Sequence, residues 1–111
     1  MITVDHYVTL SALLFVIGGV GFLVRRNVLV TLMSIEVMLN SANLALVAFN
    51  RVRLARGALQ TYVGASHTGQ VFAFFIIAAE AAEVAVGLAI VLALYRLRRT
   101  VRSDEADLLR N

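Results

Sequence analysis

A chain of 111 residues that is 60% hydrophobic and only 15% charged, with a mean hydropathy of +0.85, is too apolar for a water-soluble domain, which carries about 45–50% apolar and about 25% charged residues. The absence of cysteine excludes disulfide frameworks and thiolate metal sites. The formal charge is +3 and all ten basic residues are arginine; they sit at the ends of apolar runs, which points to orientation in a membrane rather than to nucleic acid.

The N-terminal stretch Met1–Tyr7 has no basic residue and contains Asp5, so a cleaved signal peptide is not expected. The first predicted span is 7–24, uncharged throughout. At about 1.5 Å per residue it nearly matches a hydrocarbon layer of about 30 Å. Gly18, Gly19 and Gly21 leave one end of this helix thin, as helix–helix contact requires. Arg25, Arg26 and Asn27 follow, and apolar sequence then resumes at once, so the first two spans form an antiparallel hairpin.

The second predicted span is 28–49, with Glu36 as its only charge. Asn40 and Asn43 lie four and seven residues further on, so all three project from one face. These amides either bond to a neighbouring helix or hold water beside Glu36. The stretch 51–70, with Arg51, Arg53, Arg56, Gly57, Gly64 and Gly69, is expected to be a polar loop. His6 and His67 are read as solvated residues, and two histidines so far apart give no support to a metal site.

The third predicted span is 71–95, closed at the water boundary by Arg96, Arg98, Arg99 and Arg102 in a polar tail, 96–111, whose end from Ser103 to Asn111 is expected to fray. Ala81, Ala85, Ala89 and Ala93 recur every four residues as a ridge for close helix contact. Glu83 lies nearly opposite that ridge, sharing a face with Gly87 and Ile90, and Glu80 is about 60° away. Three spans put the termini on opposite sides. The first loop and the tail share a side and hold seven arginines against three in the middle loop. The positive-inside rule then puts the N-terminus outside and the C-terminus in the cytoplasm.

Carboxylates in the middle of such spans need a reason. About 13 Val, Ile, Leu or Phe in the third span return roughly 4–8 kcal/mol on insertion. Two ionised glutamates cost roughly 5–7 kcal/mol, so this helix is marginal alone in lipid. Burial penalises the charged form of a carboxyl, and a polar interior built by other helices relieves it. Glu36 and Glu83 both fall near the midplane, where a buried carboxyl can take up and release a proton. Glu80 either adds a proton site or only shares a proton with Glu83. Interhelical hydrogen bonding is the plainer reading of all three. No nucleophile set, phosphate loop or redox ligand set is present. Without proline or an inverted repeat, three spans do not make a complete transporter.

The segment 14–49 resembles subunit K of the proton-pumping NADH:quinone oxidoreductase, complex I. The telling pieces are Arg25-Arg26-Asn27, the run from Ser34 to Asn40 around Glu36, and Ala42-Asn43-Leu44. Gly69-Gln70-Val71 and the run from Ala82 to Ala89 around Glu83 form the second signature. The resemblance implies an all-α membrane protein of three transmembrane helices in a single domain. It implies a non-redox subunit of a translocase in a bacterial inner (plasma) membrane, packed against J-type, N-type and A-type subunits of the membrane arm and the lipid bilayer. Carried over by motif, Glu36 and Glu83 become members of a line of intramembrane charges, and Arg25 and Arg26 match the cytoplasmic loop. NADH, FMN, iron–sulfur clusters and quinone are then expected in other subunits, with no cofactor on this chain. Two departures stand out. Glu80 falls where the family usually has a small or apolar residue, and the stretch 51–70 is longer and more basic than usual. The competing readings are a C-type subunit of a multisubunit sodium/proton antiporter and a structural spacer of the arm.

Overall fold

The computed structural model describes residues 1–55, 67–99 and 101–105. Three helices account for nearly all of them: α1 (Val4–Val24), α2 (Val28–Ala55) and α3 (Thr68–Arg98), followed by a 3-10 turn at Ser103–Glu105. All three are long and apolar enough to cross a membrane. The hairpin ends at Val24 and Val28 fall where expected, whereas the start of α1, the end of α2 and both ends of α3 run beyond expectation. Arg51–Ala55 and Thr68–Gln70, expected as loop, are helical, and so are Arg96 and Arg98. Arginine, alanine and leucine favour helix, and no glycine or proline interrupts 50–55, so the helix continues past the apolar limit. Arg56, Gly57, Gly64, the side chain of Arg53, Thr100 and the tail beyond 105 lie outside the described residues.

The helix ends are set locally. His6 reaches back to the first turn of α1, its Nδ1 accepting the Thr3 backbone N–H at 3.2 Å and lying 2.7 Å from Thr3 Oγ1. This is a capping role rather than simple solvation. Asn27 caps α2 by accepting the Leu29 N–H on its Oδ1 at 2.9 Å, which is why a hairpin connection of only three residues suffices. At the far end of α3, Arg99 adopts a left-handed conformation with φ 56° and donates its N–H to Tyr95 O at 2.8 Å.

Helix α2 is the middle layer, with α1 on one side and α3 on the other. Two stripes of seven-residue spacing run along it on nearly opposite faces. Ser34, Ser41 and Ala48 form the first. There, Gly18 and Gly21 of α1 come so close that a Cβ on Gly18 would lie 2.6 Å from Met38 Cγ and 2.8 Å from Ser34 O. Ser11 of α1 donates its hydroxyl to Ser41 O at 2.6 Å. Glu36, Asn43 and Asn50 form the second stripe, toward α3. On α3 the matching stripe is Ala73, Glu80, Val91 and Leu94, all buried, with Gly87 admitting Leu32 between them.

The molecule is therefore polar inside and apolar outside. Ser11, Ser34, Ser41, Asn43, Asn50 and Glu80 are buried, while Phe74 and Phe75 are 72% and 70% exposed. Only 11%, 22% and 11% of the apolar windows of the three spans are buried within the chain, so lipid or other proteins must cover the rest. The alanine ridge packs against neither α1 nor α2: Ala81, Ala85, Ala89 and Ala93 are exposed on the chain by itself. The polar group of α3 that needs a partner is Glu80, and turning it toward Asn43 turns the ridge away from α2.

Replacing Gly18 by alanine is expected to force α1 from α2 against two backbone atoms, costing about 1–3 kcal/mol and lowering the amount of folded chain recovered from membranes. Gly19, where a Cβ would meet nothing within 4 Å, is the matched control and is expected to tolerate alanine.

Candidate functional site: intramembrane carboxyls between α2 and α3

Three carboxyls come from the middle of the α2–α3 pair. Glu80 is the most deeply placed, 4% exposed. Its Oε1 accepts a buried hydrogen bond from Asn43 Nδ2 at 3.2 Å, which joins α2 to α3. Glu83 lies one helical turn from Glu80 on α3, and Glu36 lies two turns before Asn43 on α2. Glu36 is half-buried and opens onto a groove of about 360 Å³ whose other lining residues, Leu29, Leu32, Met33, Val84 and Leu88, are all apolar. Glu83, one turn beyond Glu80 on α3, is exposed on the chain by itself. It sits at the edge of the seam because 100° per residue carries it about 60° from Glu80.

The two asparagines separate. Asn43 bonds across to α3, whereas Asn40 is exposed and donates its Nδ2 to the backbone carbonyl of Glu36 at 3.1 Å, within its own helix. Asn40 thus touches the Glu36 backbone and not its carboxyl. Asn43 Oδ1 is sealed from the surface and has no hydrogen-bond partner, which is costly for a buried amide oxygen. Sequence periodicity alone did not single out Glu80 over Glu83 for the interface. The signal available was that Glu80 and Gly87 are seven residues apart, a spacing that puts a polar group and a close approach on one stripe.

A second polar cluster ties the ends together. The connection Arg25–Asn27 pairs with the segment after α3: Val28 N–H donates to Val101 O and Ser103 N–H to Arg26 O, both at 2.8 Å, and Asn27 and Arg102 form an antiparallel bridge. The Ser103 hydroxyl also donates to Arg26 O at 3.1 Å. Arg102 grips Asp104 through Nη2 at 2.8 Å and Nε at 3.1 Å, and Arg26 reaches the same carboxylate at 3.4 Å. The first part of the tail, expected to fray, is thus docked, because its backbone finds the polar groups that so short a hairpin leaves open. It also puts the first connection and the C-terminal segment on one side of the bundle. His67 lies at the opposite end, its Nδ1 3.0 Å from Gln70 Oε1. Among the described residues no group of three or more His, Cys, Asp or Glu is arranged to hold a metal ion.

A family model described as NADH-ubiquinone/plastoquinone oxidoreductase chain 4L matches residues 6–111. A curated relative, NADH-quinone oxidoreductase subunit K of Sorangium cellulosum (strain So ce56), is 56% identical over 110 residues, covering 99% of this chain and 97% of its own length. The chain belongs to this family. As a member of the chain 4L family it is a multi-pass membrane protein whose three helices present mid-span carboxyls and a polar clasp at one end.

The clasp has a defined pH response. Asp104 is held down to about 2, above all by the Arg102 side-chain hydrogen bond, against desolvation as the next largest effect, with lesser help from the charges of Arg102 and Arg26 and a backbone hydrogen bond. Its folded value lies below the ordinary carboxyl value of about 3.9. The contact therefore contributes fully above about pH 4 and is lost as pH falls toward 2. Hydrogen exchange at the Val28 and Ser103 amides is expected to show protection that does not depend on Asp104 ionisation between about pH 5 and 8. The Asp104→Asn variant is expected to exchange faster at both amides at neutral pH.

Proposed function

We propose that this chain is a membrane-arm subunit of a bacterial NADH:quinone oxidoreductase and carries part of the proton path that quinone reduction drives. Family membership supports the assembly. The observation that carries the proton path is the convergence of Glu36, Glu80 and Glu83 in the middle of the α2–α3 pair, in a chain that otherwise confines its charges to helix ends. A carboxyl in such a setting is a proton carrier when it alternates between a dry environment and contact with water or another acid. The apolar groove beside Glu36 and the exposure of Glu83 support neighbours that complete the path, since a carboxylate facing hydrocarbon is expensive. The J-type, N-type and A-type subunits are the proposed neighbours, and the bacterial inner membrane the proposed location. The chain has no role in electron transfer on this reading; NADH, FMN, iron–sulfur clusters and quinone are bound by other subunits. Direction comes from outside, because a relay moves protons one way only if a driven step changes the affinities in sequence.

The polar clasp holds Arg25, Arg26, Arg96, Arg98, Arg99 and Arg102 at one end of the bundle, which supports a cytoplasmic placement of that end and an outer N-terminus. Because the chain lacks cysteine, single replacements report on this directly. An impermeant thiol reagent applied from the cytoplasmic side is expected to tag Leu97→Cys and not Ile2→Cys; the reverse pattern would invert the topology.

Glu36→Gln and Glu83→Gln are each expected to assemble normally and to lower quinone-coupled proton transfer by about tenfold or more, measured as acidification or quenching in vesicles during NADH oxidation. Full proton transfer in both variants would leave the chain as a spacer of the arm. Loss of a sodium/proton exchange with NADH oxidation untouched would favour the antiporter reading.

A further inference from the structure

Building on the proton-path reading above, we propose that Glu80 is carried as the neutral acid in a reciprocal pair with the Asn43 amide, and that this pair is a third proton-holding site beside Glu36 and Glu83. A carboxylic acid and a primary amide can bond to each other twice: the amide N–H donates to the acid carbonyl, and the acid O–H donates to the amide oxygen. The first of these bonds is present, from Asn43 Nδ2 to Glu80 Oε1 at 3.2 Å. The acceptor needed for the second is Asn43 Oδ1, which is buried and lacks a donor. Asn43 is 7% exposed and Glu80 4%, so lipid or a neighbouring subunit does not reach that oxygen.

Turning the amide over leads to the same result. Nitrogen and oxygen of an asparagine are assigned from their surroundings, and the opposite assignment would set Oδ1 against Oε1. Two acceptors at that distance are compatible only with a proton between them. In either orientation the acid proton is the group that completes the pair, whereas an ionised Glu80 leaves one amide atom unmatched in a buried seam. Two further carboxyls share the seam: Glu83 lies one helical turn from Glu80 on α3, and Glu36 lies on the same stripe of α2 as Asn43. Releasing the Glu80 proton breaks one hydrogen bond of the pair, and regaining it restores the bond. The pair is thus a site whose proton occupancy makes or breaks one buried contact, next to Glu36 and Glu83 in the same seam.

The test uses the purified complex carrying Glu80→Gln or Asn43→Leu, read by infrared spectroscopy in H2O and D2O and by proton transfer coupled to NADH oxidation in vesicles. The unmodified complex is expected to show a protonated-carboxyl carbonyl band that shifts in D2O. That band is expected to be absent in Glu80→Gln, where two amides still pair and the complex still assembles, and displaced to higher frequency in Asn43→Leu, where the acid loses its partner. Proton transfer in Glu80→Gln is expected to fall severalfold. An unchanged acid-carbonyl region in Glu80→Gln would overturn the proposal, since Glu80 would then be ionised and Asn43 Oδ1 served by an internal water. Loss of the band with full proton transfer would also overturn it, leaving an acid with a packing role. Should Glu80→Gln fail to assemble, the band in Asn43→Leu decides: displacement supports the pair and an unmoved band rejects it. Normal proton transfer in both Glu36→Gln and Glu83→Gln, with the Glu80 band and the Glu80→Gln deficit intact, would remove the relay through those two residues and leave the Glu80 site standing.

Discussion

The bond between Asn43 and Glu80 sets the rotation of α3, and most of the site follows from that rotation. Hydrocarbon offers no partner to a polar side chain, so the only inexpensive place for Glu80 is against another polar group of the protein. With Glu80 turned to Asn43, the stripe from Ala73 through Gly87 to Leu94 must face α2, and Leu32 fills the space that Gly87 leaves. The alanine ridge then faces away, and Glu83 falls on the flank of the helix. None of these placements is an independent choice.

The two faces of α2 are held by different physics. Toward α1 the contact is made by near-backbone approach: Gly18 and Gly21 admit Ser34 and Met38, and the serine hydroxyls return to helix carbonyls, as in Ser34 Oγ to Val30 O at 2.8 Å. Such a seam has few degrees of freedom, and no carboxyl of α2 lies on the Ser34–Ser41–Ala48 stripe that forms it. Toward α3 the contact runs through longer side chains, Glu36, Asn43 and Asn50, and a groove is left beside Glu36. Chemistry that needs side chains to exchange partners fits the second face and not the first. The clasp between the α1–α2 connection and Val101–Asp104 anchors the end of α3 to the hairpin, so the rigid face and the polar face stay in register at that end.

Much of this architecture was legible in the residues. Three apolar runs, a hairpin connection of three residues and mid-span carboxyls follow from hydropathy and spacing, which depend on local order along the chain. The Gly18 contact followed as well, since a glycine cluster in an apolar helix has few uses other than close packing. What periodicity does not supply is the absolute rotation of a helix. It placed Ala81 and Glu83 on nearly opposite sides of α3 correctly, yet offered no reason to prefer the side carrying Glu80 for α2. A small-residue ridge suits any helix that comes near, whereas the Asn43–Glu80 contact depends on one pair of positions 37 residues apart. Helix ends escaped for a different reason. Beyond the apolar limit the chain is governed by propensity and capping, so Arg51–Ala55 and Arg96–Arg98 remain helical where hydropathy alone suggests a loop. The clasp was invisible because its bonds are mostly to backbone atoms, which every sequence possesses.

The distribution of burial also says what kind of object the chain is. A helix trio that hides Ser11, Ser34, Ser41, Asn43, Asn50 and one carboxyl while exposing its phenylalanines has no solvent-driven core of its own. Its internal contacts are specific but small in area, so its stability rests on the surrounding lipid and protein. Glu83 makes the point most sharply, since it is an exposed carboxyl with Val86 and Ile90 further along its helix face, where hydrocarbon would be an expensive neighbour. Glu80 is buried against Asn43, a contact fixed when α2 and α3 pack, whereas Glu83 is left on the exposed flank of α3. The packing of this chain therefore settles the surroundings of the first carboxyl and not those of the second.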